Sequence, residues 1–101
     1  MRRMMRPLGT HGPMLPAVGW GAMPLSVPPR PAAEESAQLV RAFLDLGLAF
    51  VDTADVYCVD DDELGHNERL IAAALADHPR RSDVFVATKG VLRRPGGDWV
   101  E

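Results

Sequence analysis

Apolar side chains recur at helical spacing between residues 33 and 46, at Leu39, Val40, Phe43, Leu44 and Leu46. Glu34 and Glu35 stand where they oppose the positive end of a helix dipole, and Gly47 stands where a C-terminal cap glycine belongs. A second helical pattern runs from Asn67 to Ala76, with Leu70, Ile71, Ala74 and Leu75 on one face, and Asp77-His78-Pro79 stops it. Two continuous apolar runs behave differently. Leu48-Ala49-Phe50-Val51 ends in Asp52-Thr53, and Val84-Phe85-Val86-Ala87-Thr88 leads into Lys89-Gly90. Ala17 to Met23 is a further short apolar strand carrying Gly19 and Gly21. Strands apolar on both faces and separated by helices predict an α/β fold, with a parallel sheet covered on its faces and a βαβαβ order.

Seven of the nine prolines lie in residues 1–31, which excludes helix there. Arg6 to Pro16 alternates short apolar stretches with turn residues, predicting a hairpin around Thr10 to Pro13. Pro24 to Pro31 is expected to be a rigid loop, and Arg93 to Glu101 a loop that simply stops. A parallel edge strand with no further crossover would be left unpaired beside that tail.

With 101 residues, 47% of them apolar and 25% charged, the chain is sized for one small domain or a piece of a larger one. No apolar run approaches the roughly 20 residues that span a bilayer. The first 33 residues carry Arg2, Arg3, Arg6 and Arg30 and no acid, whereas the remainder is acidic, for a net charge of −3. Six aromatics and a single lysine make no basic nucleic-acid surface, so neither a nucleic acid nor a membrane is an expected partner. Pro7, Gly9, Gly12, Pro13 and Pro16 interrupt any apolar segment behind the basic start, so export is not expected. Cys58 is alone, which fits a reducing cytoplasm.

Ligands of parallel α/β folds collect at the C-terminal ends of strands. Asp52, Tyr57 and Lys89 fall there. Singly, each has a plain structural use: a turn cap, a half-buried aromatic, a solvated cation. Lys89 stands out as the one lysine beside ten arginines. A compact ammonium is the group that eases ionisation of a neighbouring phenol, so the three together make an acid–base set.

These residues sit in motifs that resemble a known family. Phe50-Val51-Asp52-Thr53-Ala54-Asp55-Val56-Tyr57 resembles the Asp-Thr/Ser-Ala…Tyr signature of the aldo-keto reductases. Gly65-His66-Asn67-Glu68 resembles the Gly-x-Asn-Glu stretch opening the next helix in that family, Val86-Ala87-Thr88-Lys89 the strand end holding its lysine, and Gly19-Trp20-Gly21-Ala22-Met23 its first barrel strand. The resemblance implies the N-terminal part of a (β/α)8 TIM barrel, residues 1–101 supplying the plug hairpin and about three βα units of a domain whose remainder lies on the C-terminal side. It implies Tyr57 as general acid toward a small-molecule carbonyl substrate, Lys89 as the cation easing its ionisation, and Asp52 as the group holding Lys89. It also implies Gly21, Ala22, Met23 and Asp52 beside a cofactor, NADPH, that supplies hydride. The family's catalytic histidine, at the end of a fourth strand, and its phosphate- and adenine-binding segments have no counterpart within these residues. His11, His66 and His78 stand elsewhere. Cys58 replaces a glycine common after the tyrosine, and Ala72 one common in the helix.

The resemblance therefore implies an oxidoreductase that converts an aldehyde or ketone into an alcohol, and a 101-residue product that is marginally stable and inactive alone. A second reading is a non-catalytic interaction subunit of the same fold, resembling the potassium channel beta subunits. A third is a self-contained, flavodoxin-like nucleotide binder. Two local features are set aside. Gly19-x-Gly21-x-x-Pro24 is followed by a proline-rich loop where a dinucleotide fingerprint needs a helix. Asp60-Asp61-Asp62-Glu63 with His66 lacks the spacing and glycine of a calcium loop and is expected to be solvated, so no metal is predicted. Trp20 is expected in the core or at its rim, and Trp99 has no assigned place.

Overall fold

A computed structural model describes residues 4–101; Met1, Arg2 and Arg3 of the basic start lie outside the described residues. The chain opens with an antiparallel hairpin of β1 (Met5–Pro7) and β2 (Met14–Pro16), with Met5 opposite Pro16. Its turn reaches from Leu8 to Pro13, closed by the Leu8 N–H on the Pro13 carbonyl at 2.9 Å. Gly12 is required in that turn, because a Cβ there would overlap the Leu8 carbonyl oxygen.

Three parallel strands follow, β3 (Trp20–Gly21), β4 (Phe50–Asp52) and β5 (Phe85–Ala87), hydrogen-bonded in chain order. Helix α1 (Ala33–Asp45) crosses from β3 to β4, and α2 (His66–Leu75) from β4 to β5. The predicted alternation is present, with shorter strands. Of Ala17–Met23 only Trp20 and Gly21 pair fully, with the Ala22 N–H adding one bond to the Asp52 carbonyl. Beyond it, Met23–Leu25 winds into a single 3-10 turn on Pro24, shortening the expected loop. The third unit contributes its strand and no described helix. A strand order that follows the chain also corrects the flavodoxin-like reading, since doubly wound sheets of that kind run 2-1-3.

Register explains which face is covered. Trp20, Val51 and Val86 are paired neighbours and share the helix side, whereas Gly21, Asp52 and Ala87 share the opposite side. On the helix side, Val51 packs with Val40 and Leu44 of α1, Ile71, Ala74 and Leu75 of α2, and Ala22 and Leu25. Trp20 joins them at the rim, its ring 4.7 Å from that of Phe43 and its Nε1–H donating to the Leu48 carbonyl. Leu39 and Leu46, which the helical spacing also selects, are exposed instead. The buried stripe of α1 is Ser36, Val40 and Leu44, a strict four-residue step that faces the sheet. Gly47, at φ 83°, closes α1 as expected, with N–H bonds from Gly47 to Leu44 and from Leu48 to Phe43.

The opposite side is uncovered, which corrects the expectation of two covered faces drawn from the apolar runs and agrees with three strands being only part of a barrel. No helix lies on it among the described residues; Phe50 and Phe85 meet there edge to face at 5.8 Å and remain half-buried. Among the described residues no helix is long and apolar enough to cross a membrane.

The tail is a second correction. Arg93 and Val100 pair as an antiparallel bridge, and Pro95–Gly97 turns between them. Asp61 holds this loop, its Oδ1 accepting the Arg94 N–H at 2.6 Å while its own N–H donates to the Arg94 carbonyl. The acidic run is accordingly structural and not merely solvated. Asp60 accepts the Asp62 N–H, and Glu63 pairs with Arg30 at 2.6 Å and accepts the Val59 N–H at 2.7 Å. Arg30, placed first by its backbone contact partner Ser26, holds the Glu63 carboxyl below the usual carboxylate range, with help from the Val59 N–H.

Candidate active site

Alternation along β4 sorts its last residues by role. Val51 enters the core, Asp52 emerges on the open side, and Thr53 turns back inward and is fully buried. Behind the strand ends Thr53 meets Asn67, the second residue of α2. Thr53 Oγ1 donates to Asn67 Oδ1 at 2.5 Å, and Asn67 Nδ2 donates to the Ala22 carbonyl and to Ser26 Oγ, each at 2.8 Å. Ser26, Thr53 and Asn67 are all fully buried, so this dry junction binds the ends of β3 and β4 to α2. Ser26 Oγ lies 2.7 Å from His66 Nδ1. Burial, followed by the charge of Arg30, lowers the basicity of His66, which favours its neutral form beside Ser26.

In front of the junction stand the three residues singled out from the sequence. Lys89, just past β5, donates from Nζ to Asp52 Oδ2 and to the Thr53 carbonyl, each at 2.8 Å, and lies 4.8 Å from the centre of the Tyr57 ring. Partial burial alone would depress Lys89. Hydrogen bonding and charge from Asp52 and Tyr57 outweigh it and raise Lys89 above its ordinary value, so it remains a cation throughout the neutral range. Both partners of the ion pair are about half-exposed, 49% for Lys89 and 52% for Asp52. Thr88 donates to Glu68 of α2 at 2.8 Å, fixing the end of β5 from which Lys89 projects.

Two cavities flank this cluster. One, of about 270 Å³, lies on the open side of the sheet, lined by Gly19, Trp20, Gly21, Phe50 and Asp52. The other, of about 340 Å³, is lined by Met23, Ala54, Val56, Tyr57, Lys89, Gly90, Leu92 and Trp99. Asp52 belongs to the first and Lys89 to the second, and the contact between them joins the two.

The residues expected beside a cofactor divide. At Gly21 a Cβ would meet nothing within 4 Å, so the backbone is open to a ligand, and Met23 is exposed on the second cavity. Ala22 is different. It is fully buried, its N–H is bound to Asp52 and its carbonyl to Asn67, so it supports the floor and presents no surface to a ligand. The open space at Gly21 beside the Asp52 carboxylate leaves room for a hydroxyl-bearing group. Sequence reasoning missed Ser26 and Arg94, whose side-chain partners His66 and Cys58 lie 40 and 36 residues away along the chain, and the place of Trp99, which stacks on Arg94 and lines a cavity with Tyr57. Thr53 and Asn67 were visible only as members of a motif.

Cys58 is buried, its Sγ within hydrogen-bond reach of the Val56 and Asp60 carbonyls, and burial pushes its thiol up despite the opposing charge of Arg94. Among the described residues no group of His, Cys, Asp and Glu could hold a metal ion.

Residues 17–100 match the sequence model of the aldo/keto reductase family. The chain is 38% identical over 92 residues to the 6-dehydroglucose reductase of Novosphingobium aromaticivorans, a match covering 89% of this chain and 30% of that protein. It is 37% identical over 76 residues to the NADP(+) aldo-keto reductase yakc of Schizosaccharomyces pombe, covering 74% of this chain and 21% of the relative. An aldo-keto reductase of Bacillus halodurans, solved in its holo form, superposes with a TM-score of 0.75 at 30% identity, over 97% of this chain and 30% of its own. The described α/β unit is thus an open portion of the (β/α)8 barrel of these proteins, matching the opening part of their fold and spanning less than a third of their length. On the strength of the family match and of the strand ends that carry Asp52, Tyr57 and Lys89, the chain belongs to the aldo/keto reductase family.

Proposed function

We propose that the site serves the reduction of an aldehyde or ketone to an alcohol, with Tyr57 as the proton donor. The observation that carries this reading is the Asp52–Lys89–Tyr57 cluster placed between two cavities, one able to receive a cofactor and the other a substrate. A nicotinamide cofactor, NADPH by likeness to the fission-yeast relative, supplies the hydride when bound, with Gly21, Met23 and Asp52 beside it.

The chain's own residues do the rest. A carbonyl oxygen directed at the Tyr57 phenol receives its proton as the carbonyl carbon gains hydride, which leaves an alcohol and a tyrosinate. The Lys89 ammonium stabilises that tyrosinate at short range, in a site where neighbouring apolar walls weaken screening. Asp52 and the Thr53 carbonyl fix the ammonium in place. Proton return from solvent restores the phenol. The half-exposure of Lys89 and Asp52 leaves that route open.

The test is NADPH consumption by the full-length gene product with a panel of aldehydes and ketones. Tyr57→Phe is expected to lower turnover by about 10²- to 10⁴-fold, the usual worth of a positioned general acid. Cofactor binding, followed by nucleotide fluorescence, is expected to persist in that variant. Undiminished turnover without the phenol would remove Tyr57 from the reaction.

A further inference from the structure

Trp99 forms part of the wall of the 340 Å³ cavity that holds Tyr57, yet it is 47% exposed and sits on a tail loop. A half-exposed indole on a short loop has several rotamers open to it unless something holds it. Arg94 is placed to do so. Its guanidinium carbon lies 3.7 Å from the centre of the Trp99 ring, and the residue is only 4% exposed. From the same guanidinium, Nη2 donates to the carbonyls of Cys58 at 3.2 Å and Val59 at 3.5 Å, the two residues directly after Tyr57.

Among the described residues, Arg94 Nε and Nη1 have no hydrogen-bond partner, and no ion pair joins the side chain to a carboxylate. A buried guanidinium without a counter-ion is costly for stability. What this one does achieve is a rigid link between the loop carrying Tyr57 and the indole opposite it. The loop geometry serves the same end, since Gly96 and Gly97 adopt φ of 58° and 89°, which closes the turn between Arg93 and Val100.

We propose that Arg94 is a positioning residue that sets Trp99 as the flat wall of the substrate cavity, and that the cavity takes uncharged carbonyl compounds bearing an aromatic ring. The carbonyl assignment rests on the reduction reading above; the ring assignment rests on the walls. Met23, Ala54, Val56, Leu92 and Trp99 are apolar, and the one lining cation, Lys89, is engaged by Asp52 and Thr53. A carboxylate-bearing substrate would find no free positive charge among the described lining residues. A planar ring against the indole keeps full contact, whereas a short aliphatic chain uses little of the wall.

The experiment measures binding of 4-fluoroacetophenone to the full-length gene product by fluorine NMR, together with the KM and kcat of its reduction and of the reduction of propanal. Trp99→Ala and Arg94→Met are each expected to weaken aryl ketone binding roughly tenfold, and to raise its KM more than they lower kcat. Arg94→Met introduced into Trp99→Ala is expected to add nothing further to the aryl ketone KM, because that effect runs through the indole, whereas loss of the bonds to Cys58 and Val59 falls on both substrates alike. Arg94→Lys, which keeps the charge without the planar stack, is expected to recover only part of the loss.

Equal losses for the aryl ketone and propanal in every variant, or full additivity of the two substitutions, would overturn the proposal by reducing Arg94 to a structural part. If Arg94→Met fails to fold, Arg94→Lys and Trp99→Phe carry the same comparison. An aryl ketone that binds with this pattern but is not reduced overturns the reduction reading and upholds the role of Arg94. Failure of the ketone to bind the unaltered protein overturns the role of Arg94 whatever else is reduced.

Discussion

Two clusters of polar side chains lie back to back at the ends of the strands, and they obey opposite rules. Ser26, Thr53 and Asn67 form a junction with no exposure, where the side-chain hydrogen bonds run from Thr53 through Asn67 to Ser26 and on to His66. Asp52 and Lys89, one residue and one strand away, stand half in solvent around an ion pair of 2.8 Å. Strand alternation alone separates them: Thr53 and Asp52 are adjacent and face opposite sides. The dry cluster fixes where the strand ends are, and the wet cluster uses that position. Stability and chemistry are thereby assigned to different faces of the same short strand, so substitutions on the two faces are expected to read out differently.

The sharpest division is expected from Ile71→Ala in α2. Ile71 is 2% exposed in the layer between helices and sheet, and its loss is expected to cost about 3 kcal/mol by emptying packed volume, read as a lower urea midpoint. Asn67→Ala should follow, at about 2 kcal/mol, since it strands the buried Ala22 carbonyl, Ser26 and Thr53 without their partner. A cost for Asn67→Ala no larger than that of a surface change would erase the contrast, because the junction would then be as tolerant as the open side.

Asp52→Asn is expected to move stability by no more than about 0.5 kcal/mol, the ordinary worth of an exposed pair, while lowering carbonyl reduction through loss of the group that holds Lys89. If it unfolds the protein, the two faces are not separable.

The smallest effect is one of pH. Burial depresses His66 from 6.5, so the unfolded chain takes up that proton first and stability is lost as pH falls below about 6.5 toward the folded value. Arg30 depresses Glu63 from 4.5, so its contribution is present above 4.5 and lost as pH falls further. His66→Asn, which keeps an acceptor for Ser26 and does not titrate, is expected to flatten the urea midpoint between pH 7 and 5 and to leave the decline at lower pH. A slope unchanged between pH 7 and 5 would place the titrating group elsewhere.

Much of this organisation is legible without coordinates. The helix ending at Gly47, the stop at Pro79 and the apolar runs before Asp52 and Lys89 each report a local rule of periodicity or capping. Those rules depend on near neighbours in the chain. Strand length was overestimated for Ala17–Met23, because an apolar composition does not reveal that the ladder of β3 ends when Pro24 begins a turn. The tail was misjudged for a related reason: Arg93 to Glu101 reads as turn residues, and nothing nearby discloses that Asp61 receives it. Ala22 shows the converse limit, since a motif position does not reveal that its N–H and carbonyl are engaged within the fold.

The amino-acid order, then, by itself determined the βαβαβ plan and brought Asp52, Tyr57 and Lys89 to strand ends, because apolar period and turn chemistry act over a few residues. Only the tertiary structure decided which side of the sheet stays open, that Asn67 closes a dry junction across a separation of 45 residues from Ala22, and that Arg94 reaches back over 36 residues to Cys58. Those outcomes depend on burial and on pairing between distant segments, and both exist only once the chain has folded.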